Sequence, residues 1–578
     1  MKYTAKILAL LLAFLMLFVS CDILGLGDAE NNDTNAVTTE TPTEAPTEAP
    51  TDSEETTEDE SEVETETPYR DTISRSREEL ESMITLKEGE FEAAQAKLKE
   101  FESIGIVSED YDAVDAVYLE FEDLFYYLDT QISLANIVYD LDRDNKDASS
   151  RYLDNYELFG DLYTEYMLTC RKLYLESPIS EELFADWTEE DISYLLSYTP
   201  EIQDLRQENE QLLVTYNELS SGELKTKGGE IYAQIITNNN RIAELSGYDN
   251  YYLYATKEIY GRDYTVEEIE TFKGYIKEQL LSKLDSLYQS WYSKYFRLSE
   301  NDKNFMIDFL YEPFDSFDTN YLVEYVNSYD NSTGEGFKHL FENRNMVFAN
   351  SANSHDSAYQ TYLEDLETPF CLFGSDGQST TTIVHEMGHY YASLYNSDVS
   401  SYDIAETQSQ ANEYLFMRFA KDELSVARYN AIENYTVYNT VAMIIICAII
   451  DDFEQRVYSL DSVEGYTYED FKAIMDEVCE AYGGTSYISN NITDIHNYWT
   501  IVCPNSPVYY ISYATSSIAA LSIYAIAEED EAAGREVYRK LIEEIDENDG
   551  FKAALAKIGL IDPFRKEAFD KLNETVFK

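Results

Sequence analysis

The chain has 578 residues and a formal net charge of -71, from 112 acidic and 41 basic residues. This acidic excess argues against nucleic-acid binding, which requires a basic surface. Apart from Cys21, the cysteines are scattered and odd in number, so they predict neither a disulfide framework nor a cysteine-ligated metal site.

The N-terminus is typical of a bacterial lipoprotein signal. A basic start is followed by an apolar run from Ile7 to Val19, which is too short for a stable transmembrane anchor. Leu17 to Cys21 resembles a lipobox, in which the cysteine is lipidated and becomes the mature N-terminus. We therefore predict a signal peptide over residues 1–20 and a protein held on the extracellular face of a bacterial membrane only by lipid at Cys21. Simple secretion is the alternative.

Residues 21–69 are predicted to form a disordered acidic tether that follows the lipidated cysteine. Between Asp22 and Tyr69 the chain carries 16 acidic residues and no basic ones, with Thr/Glu/Pro repeats. Such a segment cannot build a core, and its like charges repel. We interpret it as a spacer, although a binding role for the acidic run is an alternative.

Helical signals dominate the rest of the chain. Glycine and proline are sparse, at 22 and 11 residues, which favours long helices joined by short loops. Thr188 to Asp191 and Thr265 to Glu268 fit the start of helices, the second as a capping box. Thr440 to Ile450 is strongly apolar but too short to span a bilayer, so it predicts a buried helix.

The pentapeptide His385-Glu386-Met387-Gly388-His389 is the most specific pattern in the chain. With only 5 histidines present, a chance H-E-x-x-H match is expected well under about once in a hundred such chains. Histidines four apart on a helix project from one face, so two imidazole nitrogens can bind one metal ion. Glu386 then lies beside the metal and can take a proton from water there. A helix with two incidental histidines is the alternative.

Gly388 is unexpected inside this helix, because glycine costs roughly 1 kcal/mol there relative to alanine. Such a residue is typical of a position where another backbone or a ligand approaches closely.

A catalytic zinc site needs three protein ligands and an open position. The second helix-like stretch, Asp403 to Leu415, offers Glu406 as the third ligand. Asp403 and Glu413 share its helical face, and they could hold the histidine N–H groups or tune the charge. The alternative is an acidic helix face exposed to solvent. Only the pairing of this stretch with the histidine helix favours Glu406 as a metal ligand.

These residues resemble the thimet oligopeptidase and oligoendopeptidase F family of zinc metallopeptidases. The pentapeptide is similar to the family's H-E-x-G-H, and Asp403 to Glu413 is similar to its second helix, with the glutamate ligand at Glu406. Pro507 to Ala514 resembles its tyrosine-rich segment, and weaker similarity runs onward from Arg241. The resemblance implies a mostly α fold: a large multi-helix zincin-type peptidase with a small β element beside the active-site helix and a deep substrate channel.

The resemblance also points to Tyr510 and Tyr513. Peptide hydrolysis needs a group that stabilises the oxyanion, and a tyrosine hydroxyl beside zinc is suited to this. Because the chain has 51 tyrosines, aromatic packing is the alternative. The family has a histidine a few residues before this segment, but residues 501–506 contain none, and the nearest is His496.

Pro369 to Gly374 is a short apolar run bounded by turn residues, which predicts a strand just before the histidine helix. As an edge strand it could bind an extended peptide by backbone pairing. A buried connector is the alternative.

Together these patterns predict a zinc endopeptidase that hydrolyses oligopeptides, acts as a monomer and binds no nucleic acid. One Zn2+ per chain is held by His385, His389 and Glu406. Glu386 is the general base, and Tyr510 or Tyr513 donates to the oxyanion. A boundary near Trp187 would divide an N-terminal helical region, residues 70–186, from a catalytic region, residues 187–578.

Two rival hypotheses remain open at this point. A peptide-binding lipoprotein that keeps the zinc site but hydrolyses little is motivated by the missing histidine. A structural surface protein with an incidental motif predicts no zinc at all.

Overall fold

The computed structural model describes residues 69–311, 319–351, 353–395, 401–483, 495, 498–546 and 548–577. These residues form mostly helices, with one small sheet. The predicted signal peptide, Cys21, the tether up to residue 68 and His496 lie outside the described residues.

The N-terminal helices pack around their own aromatic-rich core, which includes Phe121, Phe125 and Tyr166. They are α1 (Tyr69–Ile73), α2 (Arg77–Met83), α3 (Glu90–Gly105), α4 (Tyr111–Asp140), α5 (Lys146–Glu176) and α6 (Ser180–Leu183). The end of α4 also supports the sheet, because Ile137 and Val138 share a buried cluster with Leu372.

The helices that follow connect this region to the sheet. They are α7 (Glu189–Ser197), α8 (Pro200–Asn217), α9 (Ser221–Glu223), α10 (Gly229–Leu245), α11 (Tyr251–Tyr254), α12 (Val266–Tyr275), α13 (Leu281–Tyr295), α14 (Glu300–Tyr311), α15 (Thr319–Asn327) and α16 (Ser332–Glu342), with π-helical turns at Leu224–Gly228, Ala255–Ile259 and Ile276–Leu280. The predicted helix starts are confirmed, since Thr188 and Thr265 each form a capping box.

The sheet has three strands in the order β1-β3-β2, where β1 is Met346–Phe348, β2 is Ala358–Leu363 and β3 is Thr368–Phe373. A single 3-10 turn, Glu364–Leu366, joins the second strand to the third. β1 pairs with β3 in parallel and β2 pairs with it antiparallel. The predicted strand is therefore confirmed, but its placement at an edge is wrong. The backbone of β3 is paired on both sides. Its unbroken apolar run is explained by packing on both faces, since Phe370 and Leu372 lie in the cluster with the end of α4, and Cys371 and Phe373 lie in a larger core.

The C-terminal helices share the largest core with Ile73 and with side chains from Ile202 onward. They are α17 (Thr380–Tyr395), α18 (Tyr402–Glu423), α19 (Val426–Tyr458), α20 (Tyr468–Ala481), α21 (Ile511–Glu529), α22 (Glu531–Glu543), α23 (Phe551–Ile558) and α24 (Lys566–Thr575), and residues 498–505 are also helical. Among the described residues, α19 is the one helix long and apolar enough to cross a membrane, but 94% of its apolar window is buried inside the protein. The prediction of a buried helix over Thr440 to Ile450 is confirmed.

The described cysteines are all buried free thiols, which agrees with the absence of a predicted disulfide framework. The predicted boundary at Trp187 falls in a connection between α6 and α7. The N-terminal core includes side chains beyond this boundary, up to Tyr198. Ile202 already belongs to the largest core. The division into residues 70–186 and 187–578 stays a prediction.

Candidate metal centre and active site

Two helices in close backbone contact carry the predicted ligands. A Cβ built on Gly388 of α17 would lie 2.7 Å from the Cα of Ser409 on α18, so only glycine allows this approach. Asn412 of α18 donates from Nδ2 to the carbonyl of Val384 at 2.6 Å. The expectation that another backbone approaches Gly388 is confirmed.

His385, His389 and Glu406 converge as a potential metal site. One ligand atom from each lies within 4.8 Å of the others. Glu406 Oε2 is 3.7 Å from His385 Nε2 and 4.0 Å from His389 Nε2. Burial raises the pKa of Glu406, and burial together with the neighbouring His385 lowers the pKa of His389 well below its ordinary value. His389 is therefore held as the neutral imidazole that can bind a metal.

The two other acids of α18 have different partners. His385 Nδ1 lies 2.6 Å from Glu413 Oε1, so this carboxylate accepts the ring N–H and leaves Nε2 facing Glu406. Glu413 thus does what the sequence suggested. Asp403 instead accepts hydrogen bonds from Tyr264 at 2.9 Å and from Thr515, away from the histidines. The suggestion that Asp403 holds a histidine is wrong.

Glu386 is a buried carboxyl group without a hydrogen-bond partner among the described residues. Its side chain is 1% exposed, and neither carboxyl oxygen is bonded. Burial, followed by the nearby Glu406 and Glu413, raises its pKa to about 7, although His385 opposes the shift. Such a group can exchange a proton near neutral pH.

The structure adds Tyr509 to the site. Its hydroxyl donates to Glu406 Oε1 at 2.8 Å, on the carboxylate whose other oxygen faces the histidines. The predicted Tyr510 and Tyr513 are buried beside it, with ring centroids 6.0 and 5.2 Å from that of Tyr509. Helical periodicity could not identify Tyr509, because the regular helix starts only at Ile511.

Residues 351–544 match the model of peptidase family M3. The predicted resemblance to this class of peptidases is therefore confirmed over these residues. The matched segment includes α17, α18 and the tyrosine segment, so the match covers the whole candidate site. The family consists of metallopeptidases, and peptide hydrolysis is the corresponding class of activity.

Three solved structures with 16% sequence identity to this chain share its fold. A protein assigned as oligoendopeptidase F has a TM-score of 0.67, with 85% of this chain and 97% of the other covered. PZ peptidase A, solved with an inhibitor, has a TM-score of 0.66 with 85% and 98% covered. A protein assigned as oligoendopeptidase F from Bacillus anthracis has a TM-score of 0.63 with 86% and 95% covered. These likenesses confirm the predicted fold class, while a search of curated proteins found no match.

Proposed function

We propose that this protein is a zinc-dependent endopeptidase that hydrolyses short peptides. The observation that carries the proposal is the buried, unpartnered Glu386 carboxyl beside converging His385, His389 and Glu406. Two histidines and a glutamate are the donor set of catalytic zinc sites that keep an open position. The residues therefore fit one Zn2+ per chain. The oligoendopeptidase names of similar structures support internal cleavage of peptides.

The residues of this chain have distinct proposed roles in hydrolysis. Bound Zn2+ would supply Lewis acidity toward the peptide carbonyl and the attacking water. A carboxylate oxygen of Glu386 accepts a proton from that water and later transfers it to the leaving amine nitrogen. Its pKa of about 7 suits both directions. The hydroxyl of Tyr510 or Tyr513 donates to the oxyanion.

Metal analysis and peptide cleavage by the purified chain test the proposal together. We expect stoichiometric zinc and cleavage of a quenched peptide library. Glu386→Gln should retain zinc and lose most activity, because the amide cannot accept the proton. Glu433→Gln is the matched control, since this carboxylate on α19 accepts hydrogen bonds from Tyr429 and Tyr524 in another part of the protein. Full activity in Glu386→Gln would contradict the assignment.

A second candidate function is peptide binding with little hydrolysis. It is favoured by the lack of a histidine in residues 501–506, where buried Cys503 occurs instead. Zinc-loaded protein that binds the same peptides without cleaving them would support this function over the first.

We also propose that the enzyme acts at the cell surface, anchored by lipid at Cys21. The support is the basic start, the short apolar run and the lipobox-like Leu17 to Cys21. The acidic segment that follows would give the enzyme reach from the membrane.

A further inference from the structure

Val508, immediately before Tyr509, has an unusual backbone conformation. Its φ is +67°, in the left-handed region that branched side chains rarely adopt. Such a conformation persists only when surrounding contacts enforce it, and these positions concentrate at functional sites.

Two buried ionisable side chains from distant parts of the chain hold both sides of this residue. Glu454 of α19 accepts the Val508 N–H at Oε1, at 2.9 Å. Arg262, in the connection before α12, donates from Nη2 to the Val508 carbonyl at 2.7 Å and to Ser512 Oγ at 2.9 Å. Glu454 is 1% exposed and Arg262 is 2% exposed, so solvent does not compete for these bonds.

The same contacts fix the segment relative to the metal-bearing helix. Arg262 Nε lies 3.9 Å from Asp403 Oδ2, one helical turn before Glu406 on α18. Tyr260 donates to the carbonyl of Pro507 at 2.7 Å, and its ring lies against Arg262. Directly after the left-handed turn at Val508, the Tyr509 hydroxyl donates a hydrogen bond to Glu406.

We propose that Glu454 and Arg262 are positioning residues that hold Val508 in its left-handed conformation and thereby aim the Tyr509 hydroxyl at Glu406. This inference rests on the zinc site of the proposed function, because its consequence is orientation of the Glu406 carboxylate. Asp403 thus contacts Arg262 and accepts hydrogen bonds from Ser512 and Thr515, and it does not hold a histidine.

A double-mutant cycle tests this coupling on the full chain, with Zn2+ affinity measured by chelator competition. Tyr509→Phe removes the hydroxyl, and Glu454→Met removes the acceptor at similar volume. Each should weaken Zn2+ binding by roughly 10- to 100-fold, as for other partners of metal ligands. If Glu454 acts through Tyr509, the double variant should bind within about twofold of the weaker single variant, the margin of additivity.

Conservative replacement separates positioning from general stability. Glu454→Gln keeps an oxygen for the Val508 N–H and should restore affinity to within about twofold of the native chain. Tyr118→Phe and Glu122→Met are matched controls, because their buried hydrogen bond lies in the N-terminal core. They should lower the melting temperature without changing Zn2+ affinity. If Glu454→Met does not fold, Arg262→Lys takes its place in the cycle.

The inference would be overturned if the fold-losses of Zn2+ affinity in the two single variants multiply in the double variant. It would also be overturned if Glu454→Met binds Zn2+ like the native chain, or if Glu454→Gln binds as weakly as Glu454→Met. Peptide cleavage by the native zinc-loaded chain is measured separately. If the Zn2+ affinities follow the predicted pattern but the native chain cleaves no peptide, the proposed enzyme is rejected and the positioning role of Glu454 and Arg262 is retained. A native chain that takes up no Zn2+ would overturn both.

Discussion

Gly388 of α17 and Ser409 of α18 lie in close backbone contact, with 2.7 Å between an ideal Cβ at position 388 and the Ser409 Cα. Both obstacles within 3.0 Å of that Cβ are backbone atoms, so they cannot rotate away. Gly388→Ala should therefore separate α17 from α18 and lower the free energy of unfolding by about 1–3 kcal/mol, as in other overpacked cores. Zinc affinity should fall as well. Denaturant unfolding and chelator competition measure the two effects.

Gly160→Ala is the matched control for this change. Gly160 lies within α5, and a Cβ there meets no atom within 4 Å. Alanine at this position should be neutral or stabilising by up to about 1 kcal/mol. Equal stability of Gly388→Ala and Gly160→Ala would show that the close approach of the two helices has no energetic importance.

The metal site could be predicted from sequence because its geometry is largely local. Spacing of four on a helix brings His385 and His389 together whatever surrounds them. Spacing of seven likewise puts Glu413 on the face of Glu406, and it reaches His385. Asp403 shares that periodicity but points to Tyr264 and Arg262, whose positions depend on tertiary contacts across more than a hundred residues.

Features set by neighbouring chain segments could not be predicted. The central position of β3 depends on pairing with β1 and β2, which are short and carry weak sequence signals. Tyr509 reaches Glu406 because Val508 leaves regular helical geometry, and Glu454 and Arg262 contact it there. The family resemblance points to Tyr510 and Tyr513 and gives no indication of Tyr509.

The Glu413 carboxylate should determine how well His385 binds metal. Glu413→Ala removes the acceptor of the Nδ1 N–H and frees the ring to rotate, so Zn2+ affinity should fall by roughly 10- to 100-fold. Glu413→Gln keeps an oxygen acceptor and should lose less. Chelator competition measures both variants, with Glu433→Ala as a control on α19. Native affinity in Glu413→Ala would show that the contact does not orient the ligand.

The three tyrosines should separate into two functional classes. Loss of an oxyanion donor costs about 100- to 1000-fold in kcat, so Tyr510→Phe or Tyr513→Phe should lose activity at full zinc occupancy. Tyr509→Phe should instead weaken zinc binding, because its hydroxyl contacts Glu406. Steady-state kinetics at saturating zinc distinguish the classes. Native kcat in both Tyr510→Phe and Tyr513→Phe would make the predicted donors wrong.

Lipid attachment is predicted to depend on Cys21 alone. In a bacterial host, radiolabelled palmitate should label the native chain and the protein should fractionate with membranes. Cys21→Ser should lose both the label and the membrane association. Ser20→Ala keeps the cysteine and serves as the control. An unlabelled native chain in the medium would support simple secretion instead.

The buried Glu386 carboxyl should make the metal-free protein less stable as the pH rises. Its pKa is about 7 in the folded protein and near 4.5 in the unfolded chain, so the folded state binds more protons between these values. Each pKa unit corresponds to about 1.4 kcal/mol, so ionisation costs up to roughly 3 kcal/mol above pH 7 and nothing below pH 4.

The Glu386→Gln variant has no ionisable group at position 386 and does not lose this stability. Urea unfolding of both metal-free proteins should give similar free energies at pH 4 and a more stable variant at pH 8, because only the native protein must ionise a buried carboxyl at position 386. A difference that is the same at both pH values would show that Glu386 does not titrate in this range, and its proposed role in exchanging a proton with water would lose its electrostatic basis.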